Sequence, residues 1–478
     1  MDSMRRVRLG DVALVEISGV DKKTTDGEKP VRLCNFTDVY KNWAITAPMY
    51  DSFMVASAND KEISRFSLRR GQVAITKDSE TRDDIGIPTY IADNFDDVLL
   101  GYHCALITPD ETKLDGKYLN AFLHTVFIQK FFSANASGSG QRYTLSVDTL
   151  NEIPIYLPSL EEQKRIGEVF SNIDRKIEIN RQINDYLEAM ARQLYDYWFV
   201  QFDFPDTMSR KPYKSSGGKM VWSEKLKKEI PEGWKDCTIR NICDIRSGFP
   251  FKSDSYTDTG VYRIVTIRNV QDHNLDLTST ERIDDLPDRL PDYCNLNIGD
   301  CLISLTGNVG RVCRVDTERL LLNQRVGLIT DKTGYPEWVY SLFDDTAVVK
   351  QILLLANGCA QANVSPIDIG KILICLPDEA TLDAYNSIIT ALRQLQMKCS
   401  SELTELSERR NDLLPMLMNG QVSVKPLNNH LSEYPKRDSN ISARSWPRLL
   451  ERLLELPPQS HLPQAVWLSH GLCFHIQT

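Results

Sequence analysis

Two stretches of the chain carry apolar residues at heptad spacing over unusual length. From Leu160 to Phe199 proline is absent and glycine appears once. One apolar row is Ile166, Ile173, Asn180, Leu187 and Leu194; the other is Phe170, Ile177, Asn184, Ala191 and Trp198. Rows so spaced form an a/d seam, which predicts one helix about 60 Å long at ~1.5 Å per residue. A poorer seam recurs about 220 residues later through Tyr385, Leu392, Cys399, Leu406 and Leu413, with Ile389, Gln396, Leu403, Arg410 and Leu417 beside it. Each helix alone is compatible with packing on its own domain, but the shared register points to the two packing on each other. Chain order then sets their direction. The second globular unit follows the end of the first helix and precedes the start of the second, so the helices must run antiparallel with one unit at each end. Asn180 and Asn184, in mid-seam, are expected to fix register at some cost in stability.

The chain outside these helices is written twice. Leu145-Ser146 and the run Leu150 to Pro158 match Val364-Ser365 and the run Ile369 to Pro377. Tyr118 to Leu123 answers Trp338 to Phe343, and Gly71 to Ile75 answers Gly299 to Ile303. Between these anchors the copies differ most, so one fold carries two surfaces. Short β-branched and aromatic runs (Val31 to Val39, Val261 to Val270, Cys301 to Leu305, Leu320 to Thr330) read as strands, with a helix near 117–132 and another near 336–354. Each unit is therefore α+β. The predicted order is a first unit at 1–158, a helix at 159–200, a linker at 201–232, a second unit at 233–377, a helix at 378–425 and a tail at 426–478. Asp203 to Asp206 and Lys211 to Lys219 read as turn-rich, exposed linker. The tail, with four of the seven histidines, has no counterpart in the first half and no assigned role.

Composition narrows the function classes. A hydrophobic share of 42% and a charged share of 25% are those of a globular protein. No apolar run reaches the ~18–20 residues of a membrane span, and the N-terminal stretch lacks the apolar core of a signal peptide, so a cytoplasmic location is expected. Eleven cysteines lie scattered without metal-ligand spacing, as expected of thiols in a reducing compartment. The net charge of −9 excludes nucleic-acid binding by bulk electrostatics; contact with DNA must use local basic patches.

Motifs of catalysis are missing. Gly217-Gly218-Lys219-Met220 lacks the spacing and hydroxyl of a phosphate loop, and Gly138-Ser139-Gly140 is no dinucleotide fingerprint. No zinc-protease or nucleophile-elbow motif occurs, nor an Asn/Asp-Pro-Pro-aromatic tetrapeptide of amino-methyltransferases. Asp110 to Lys113 resembles a nuclease carboxylate–lysine cluster only superficially and reads as solvated surface. What remains is a set of polar loops. Ser137 to Ser146 offers glycine for close backbone approach, with Ser137, Ser139, Gln141, Arg142 and Tyr143 as candidate DNA contacts; Gln and Arg make bidentate bonds to base edges. Its counterpart keeps amides, Gln361 and Asn363, but no arginine. Arg246, Lys252, Arg268, Asn269, Thr306, Asn308 and Arg311 complete the candidates.

The duplicated unit, each copy ending in Ile-Pro-Ile-x-Leu-Pro or its like before a long helix, resembles the specificity subunit of type I restriction–modification enzymes. Leu150, Ile153-Pro154-Ile155, Leu157-Pro158, Leu160, Glu162-Gln163 and Arg165-Ile166 carry the resemblance, with Gly299 to Ser304 and Arg409 to Gly420 in the second copy. It implies two target-recognition domains, each reading half of a split double-stranded DNA sequence, related by pseudo-two-fold symmetry across the antiparallel helices. It further implies a non-catalytic chain without cofactor. Two methyltransferase subunits docked on the helices would bring S-adenosylmethionine, and a motor–nuclease subunit would bring ATP and Mg. The second copy departs from the pattern at Asp378 to Thr381, where the first has Glu-Gln-Lys-Arg. Two other readings stand beside it: a coiled-coil interaction scaffold without a DNA role, and the recognition part of a fused restriction–methylation enzyme.

Overall fold

A computed structural model of the chain describes residues 5–139, 142–206, 210–356 and 362–424. Each repeat is tied off in the same way. Strand Arg5–Arg8 pairs antiparallel with Pro154–Leu157, and Lys235–Thr238 pairs antiparallel with Leu373–Leu376. The anchors recur because each does the same two jobs. Leu145 and Val364 are buried, and the serine after each caps a short helix: Ser146 Oγ accepts from Thr149 N at 3.1 Å, and Ser365 Oγ from Ile367 N at 3.2 Å.

Inside the first unit a five-stranded sheet runs Ala13–Ile17, Cys104–Pro109, Val73–Thr76, Pro88–Ile91, Ala44–Ile45. A smaller sheet orders Met54–Ala58, Lys29–Cys34 and Val98–Leu100, the last pair parallel. The second unit repeats the plan. Cys243–Ser247, Val326–Asp331, Cys301–Ser304 and Val312–Arg314 form one sheet, and Leu320–Leu322 lies parallel to Tyr262–Val265 in the other.

Three expectations are corrected. The helices near 117–132 and 336–354 are each two helices. Gly116–Leu123 gives way to Val126–Asn135 at Thr125, and Pro336–Asp344 to Thr346–Ala356 at Asp345. Asp345 Oδ1 accepts from Ala347 N and Val348 N at 2.8 and 2.9 Å, so a cap inside the apolar run restarts the helix. The run Val31 to Val39 leaves its strand at Cys34 and enters helix Phe36–Lys41, because Asn35 N donates to Asp38 Oδ2 at 2.7 Å in a capping box. The linker is not an exposed tether. Phe202, Asp203 and Phe204 are buried; Phe204 stacks on Tyr213 and Trp234 at 4.7 and 5.0 Å, sealing the second unit's core.

The spacer helices are Leu160–Tyr195, continued by a wider turn at Asp196–Val200, and Glu379–Met418. They run antiparallel: Asn180 Nδ2 donates to Glu402 Oε2 at 2.9 Å, Asn184 Nδ2 to Ser400 Oγ at 3.1 Å, and Arg393 pairs with Glu188. The mid-seam asparagines thus find polar partners across the pair. Ile166, Phe170, Ile177, Leu187 and Leu194 are buried, Ile173 half-buried. On the facing helix Leu392 and Leu406 are buried, whereas Leu403 and Leu413 are half-buried and Leu414 turns inward instead. A strict heptad drifts by about 20° per repeat on a straight helix, which moves the last contact one residue along. The single glycine of the first spacer, Gly167, sits where a Cβ would meet Lys117 Cβ at 2.7 Å and Tyr118 N at 2.8 Å, so only glycine lets helix Gly116–Leu123 lie against it. Arg410 places its guanidinium 4.9 Å over Trp43, which stacks at 4.1 Å on a His124 held neutral by burial, at about 3. Among the described residues no helix is long and apolar enough to cross a membrane.

Candidate nucleic-acid interface

In the first unit the ends of strands Ala13–Ile17 and Val73–Thr76 meet hairpin Ser137–Ser139/Arg142–Thr144, which extends strand Asp78–Ser79. Between them opens a cleft of about 1010 Å³, lined by Lys77, Asp78, Tyr102, His103, Ser137 and Arg142 among others. Asp78 organises the charges. Its carboxylate accepts from Lys77 Nζ at 2.8 Å and His103 Nδ1 at 2.6 Å, and Arg142 Nη2 lies 3.7 Å away. Burial alone would raise this carboxyl; donors from Lys77, Thr144 and His103 overcome it and hold it below the usual range. Arg142 Nη2 stands 2.6 and 3.0 Å from the two imidazole nitrogens. Arg82 lies 5.0 Å over the Tyr143 ring. The cleft therefore offers an exposed guanidinium, aromatic faces and a buried carboxylate, the equipment for base edges and phosphates.

Of the candidate loop residues, Ser137 and Arg142 are exposed and line this cleft, and Tyr143 is half-buried. Gln141 and Gln361, and the side chain of Ser139, lie outside the described residues. In the second unit Lys252, Arg268, Asn308 and Asn363 are exposed. Arg246 lies 4.4 Å over Tyr293 and donates to Thr330 Oγ1 at 3.2 Å. Arg311 is partly engaged, paired with Asp272 at 3.6 Å and donating to Gln271. Two candidates are corrected. Asn269 is buried, its Oδ1 accepting from Thr266 N at 2.8 Å and its Nδ2 donating to Asp276 O at 2.8 Å, so its amide is consumed by its own turn. Thr306 is buried and donates to Asn363 Oδ1 at 2.8 Å, bridging two loops. Lys77, Asp78 and His103 escaped the sequence reading because no motif surrounds them; only alignment of the two copies marks their corner.

Other clusters resolve as structure. Asp110 accepts from Lys113 and Thr112 in an exposed turn, which holds it at about 2. Glu188, His273 and Asp344 bring ligand atoms within 4.8 Å of one another. Glu188 is already paired with Arg393, however, and Asp344 with Arg192 at 3.0 Å, which opposes a cation there. Burial pushes the thiols of Cys104, Cys243, Cys301 and Cys375 up to about 12, the direction opposite to an activated nucleophile.

Comparison with known proteins agrees with this geometry. Residues 2–189 match the family model described as type I restriction modification DNA specificity domain. The MjaIX specificity subunit of Methanocaldococcus jannaschii is 25% identical over 319 residues, 65% of this chain and 70% of that protein. The HindI specificity subunit of Haemophilus influenzae is 22% identical over 410 residues, 74% and 87% of the two chains. In fold, the S subunit of a type I restriction–modification system from M. genitalium superposes with a TM-score of 0.52, covering 87% of this chain and 97% of that one, at 14% identity. Two repeated α+β units set at opposite ends of an antiparallel helix pair, together with these likenesses, make the chain similar to the specificity subunits of the type I restriction–modification class.

Proposed function

We propose that each α+β unit reads one half of a bipartite double-stranded DNA target, while the helix pair sets the distance between them and docks two methyltransferase subunits. One observation carries this reading: the two units share scaffold and cap residues but present unlike side chains at the same corner, where the first opens a cationic, aromatic cleft. Contacts proposed for the first reader are Ser137, Arg142 and Tyr143, now with Lys77 and His103. For the second they are Arg246, Lys252, Arg268, Asn308, Arg311 and Asn363. Docking on the spacer is supported by apolar side chains that the helix pairing leaves uncovered: Ile179, Tyr186 and Met190 on one helix and Met397 on the other. S-adenosylmethionine chemistry belongs to those partners, and ATP- and Mg-dependent cleavage to a motor–nuclease subunit. The assembly works in the cytoplasm, and this chain contributes no catalytic group.

The test is coexpression with the methyltransferase subunit, followed by mapping of methylated bases. Exchanging residues 1–145 for those of a relative is expected to change one half of the methylated sequence and keep the other. Alteration of both halves, or of neither, overturns the reading. Methyl incorporation by the purified chain alone refutes its non-catalytic role.

A further inference from the structure

The two units agree most closely where their reading surfaces ought to differ least, and one five-residue window interrupts that agreement. Leu99-Leu100 and Leu106-Ile107-Thr108 recur at one constant offset as Leu321-Leu322 and Leu328-Ile329-Thr330. Between them stand Gly101-Tyr102-His103-Cys104-Ala105 in one copy and Asn323-Gln324-Arg325-Val326-Gly327 in the other, the first three of each forming a turn. The backbone of this turn makes three matching bonds in both, although His103 has a positive φ and Arg325 does not. Gly101 N donates to Cys34 O at 2.8 Å, Tyr102 N to Val20 O at 3.0 Å, and His103 O accepts from Lys77 N at 2.9 Å. In the second unit Asn323 N donates to Val265 O at 3.1 Å, Gln324 N to Phe249 O at 3.0 Å, and Arg325 O accepts from Leu305 N at 3.1 Å. Each turn is thus clamped to three other segments, and two of those in the second unit open the loops that hold Lys252 and Asn308.

A rigid frame with interchangeable side chains is what sequence readout asks of a protein surface. Tyr102 and His103 line the first cleft. His103 adopts φ 73°, a conformation that costs a non-glycine residue energy and is kept where the surroundings over-determine it. Its Nδ1 is 2.6 Å from Asp78, and Arg142 Nη2 stands 2.6 and 3.0 Å from its two ring nitrogens, so the imidazole seats the guanidinium. Gln324 and Arg325 are exposed and make no side-chain hydrogen bond or ion pair with another described residue. They are two long donors with no side-chain partner among the described residues.

We infer that this turn, Gly101–His103 in one unit and Asn323–Arg325 in the other, is a specificity-determining element of each reader. Gln324 and Arg325 meet base edges in the major groove directly, in the manner of amide to adenine and guanidinium to guanine. His103 is a positioning residue that acts through Arg142. The inference rests on the proposal that each unit reads half of the target.

The test uses the complete complex of this chain with its methyltransferase subunits and a duplex library randomised in one half-site at a time, with base preference read from the bound fraction. In Q324A/R325A, preference in the second half is expected to relax by about 10- to 100-fold at one or two positions, with the first half unchanged. R325K keeps the charge but not the fork, and is expected to relax the same position while retaining overall affinity. His103→Ala is expected to relax the first half only, and His103→Asn, which tolerates the same backbone and keeps a donor and an acceptor, to restore part of it. Unchanged preference in Q324A/R325A, or a uniform loss of binding across all sequences, overturns the inference. Exchange of residues 1–145 in the same library separates the two failures. If that exchange alters one half alone while the turn variants alter nothing, the turn is wrong and the two readers stand; if it alters both halves or neither, the readers fall as well.

Discussion

The spacer is the part of the protein whose dimensions a perturbation can change most directly. Asn180 faces Glu402 near its middle, so four residues inserted after Asn180 and four after Ser401 lengthen both helices at facing points. Each gains about 6 Å at ~1.5 Å per residue and turns roughly 40° beyond a full turn. Six ångströms is somewhat under two base-pair steps of ~3.4 Å, so the paired insertion is expected to move the half-sites apart by about one to two base pairs without changing their sequence. An insertion in the first helix alone is different. The seam then slips by four residues and can keep either the Asn180–Glu402 pair or the Glu188–Arg393 pair. Parting the latter leaves a mostly buried carboxylate beside no guanidinium, at a cost of about 3–5 kcal/mol. Modification should be lost or severely weakened in this variant, and its urea midpoint should fall. Mapping methylated bases in cells that express each variant with the methyltransferase subunit reads the spacing. A paired insertion that modifies the original half-sites at the original spacing refutes the idea that these helices set the distance.

Leu187→Ala removes a buried seam residue and is expected to cost about 2–5 kcal/mol with an unchanged urea m-value. Asp174 is pushed up to about 6 by burial, despite Arg410 nearby. Its folded form holds the proton more tightly than the unfolded form, so its penalty is absent below pH ~4 and complete above pH ~6. Asp174→Asn should therefore stabilise the protein by roughly 1–3 kcal/mol at pH 7.5, and a gain that persists undiminished at pH 4 contradicts this. His273 is the reverse case. Burial and Arg192 lower it, but the Asp344 hydrogen bond and Glu188 prevail and raise it, with Tyr340 also against its ring. Its contribution is whole below the unfolded value near 6.5 and is lost as pH rises through the raised folded value. The melting temperature should decline over that window in the parent and not in His273→Gln.

What the sequence made legible was periodic or repeated. The seams extend over enough turns that their period is unambiguous, and Ser146 and Ser365 recur because each caps a helix beside a buried apolar residue. The breaks at Thr125 and Asp345 were not legible, since a capping residue within an apolar run is indistinguishable from a tolerated polar one until its partner amides are placed. Phe202 and Phe204 were hidden by their turn-forming neighbours; only the nearness of Trp234 makes them core. The cleft was half visible. Arg142 announces itself in a glycine-rich loop, but Asp78 and His103 reach it through contacts distant in sequence, and Asn269 looked free because hydrogen bonding within a turn leaves no trace in residue type.

The antiparallel arrangement also governs the order in which the molecule can be finished. Leu414, Leu417 and Met418, at the far end of the second helix, pack into the same core as Ile166 and Phe170 of the first unit. A ribosome that has just released Phe170 must add about 250 more residues before those side chains exist, which takes roughly 12–50 s at ~5–20 residues per second. For that interval the nascent first domain carries an open apolar socket, a natural binding site for a holdase and a point of entanglement with a neighbouring nascent copy. Completion of the first domain is therefore a late event in synthesis, although its own sequence comes first.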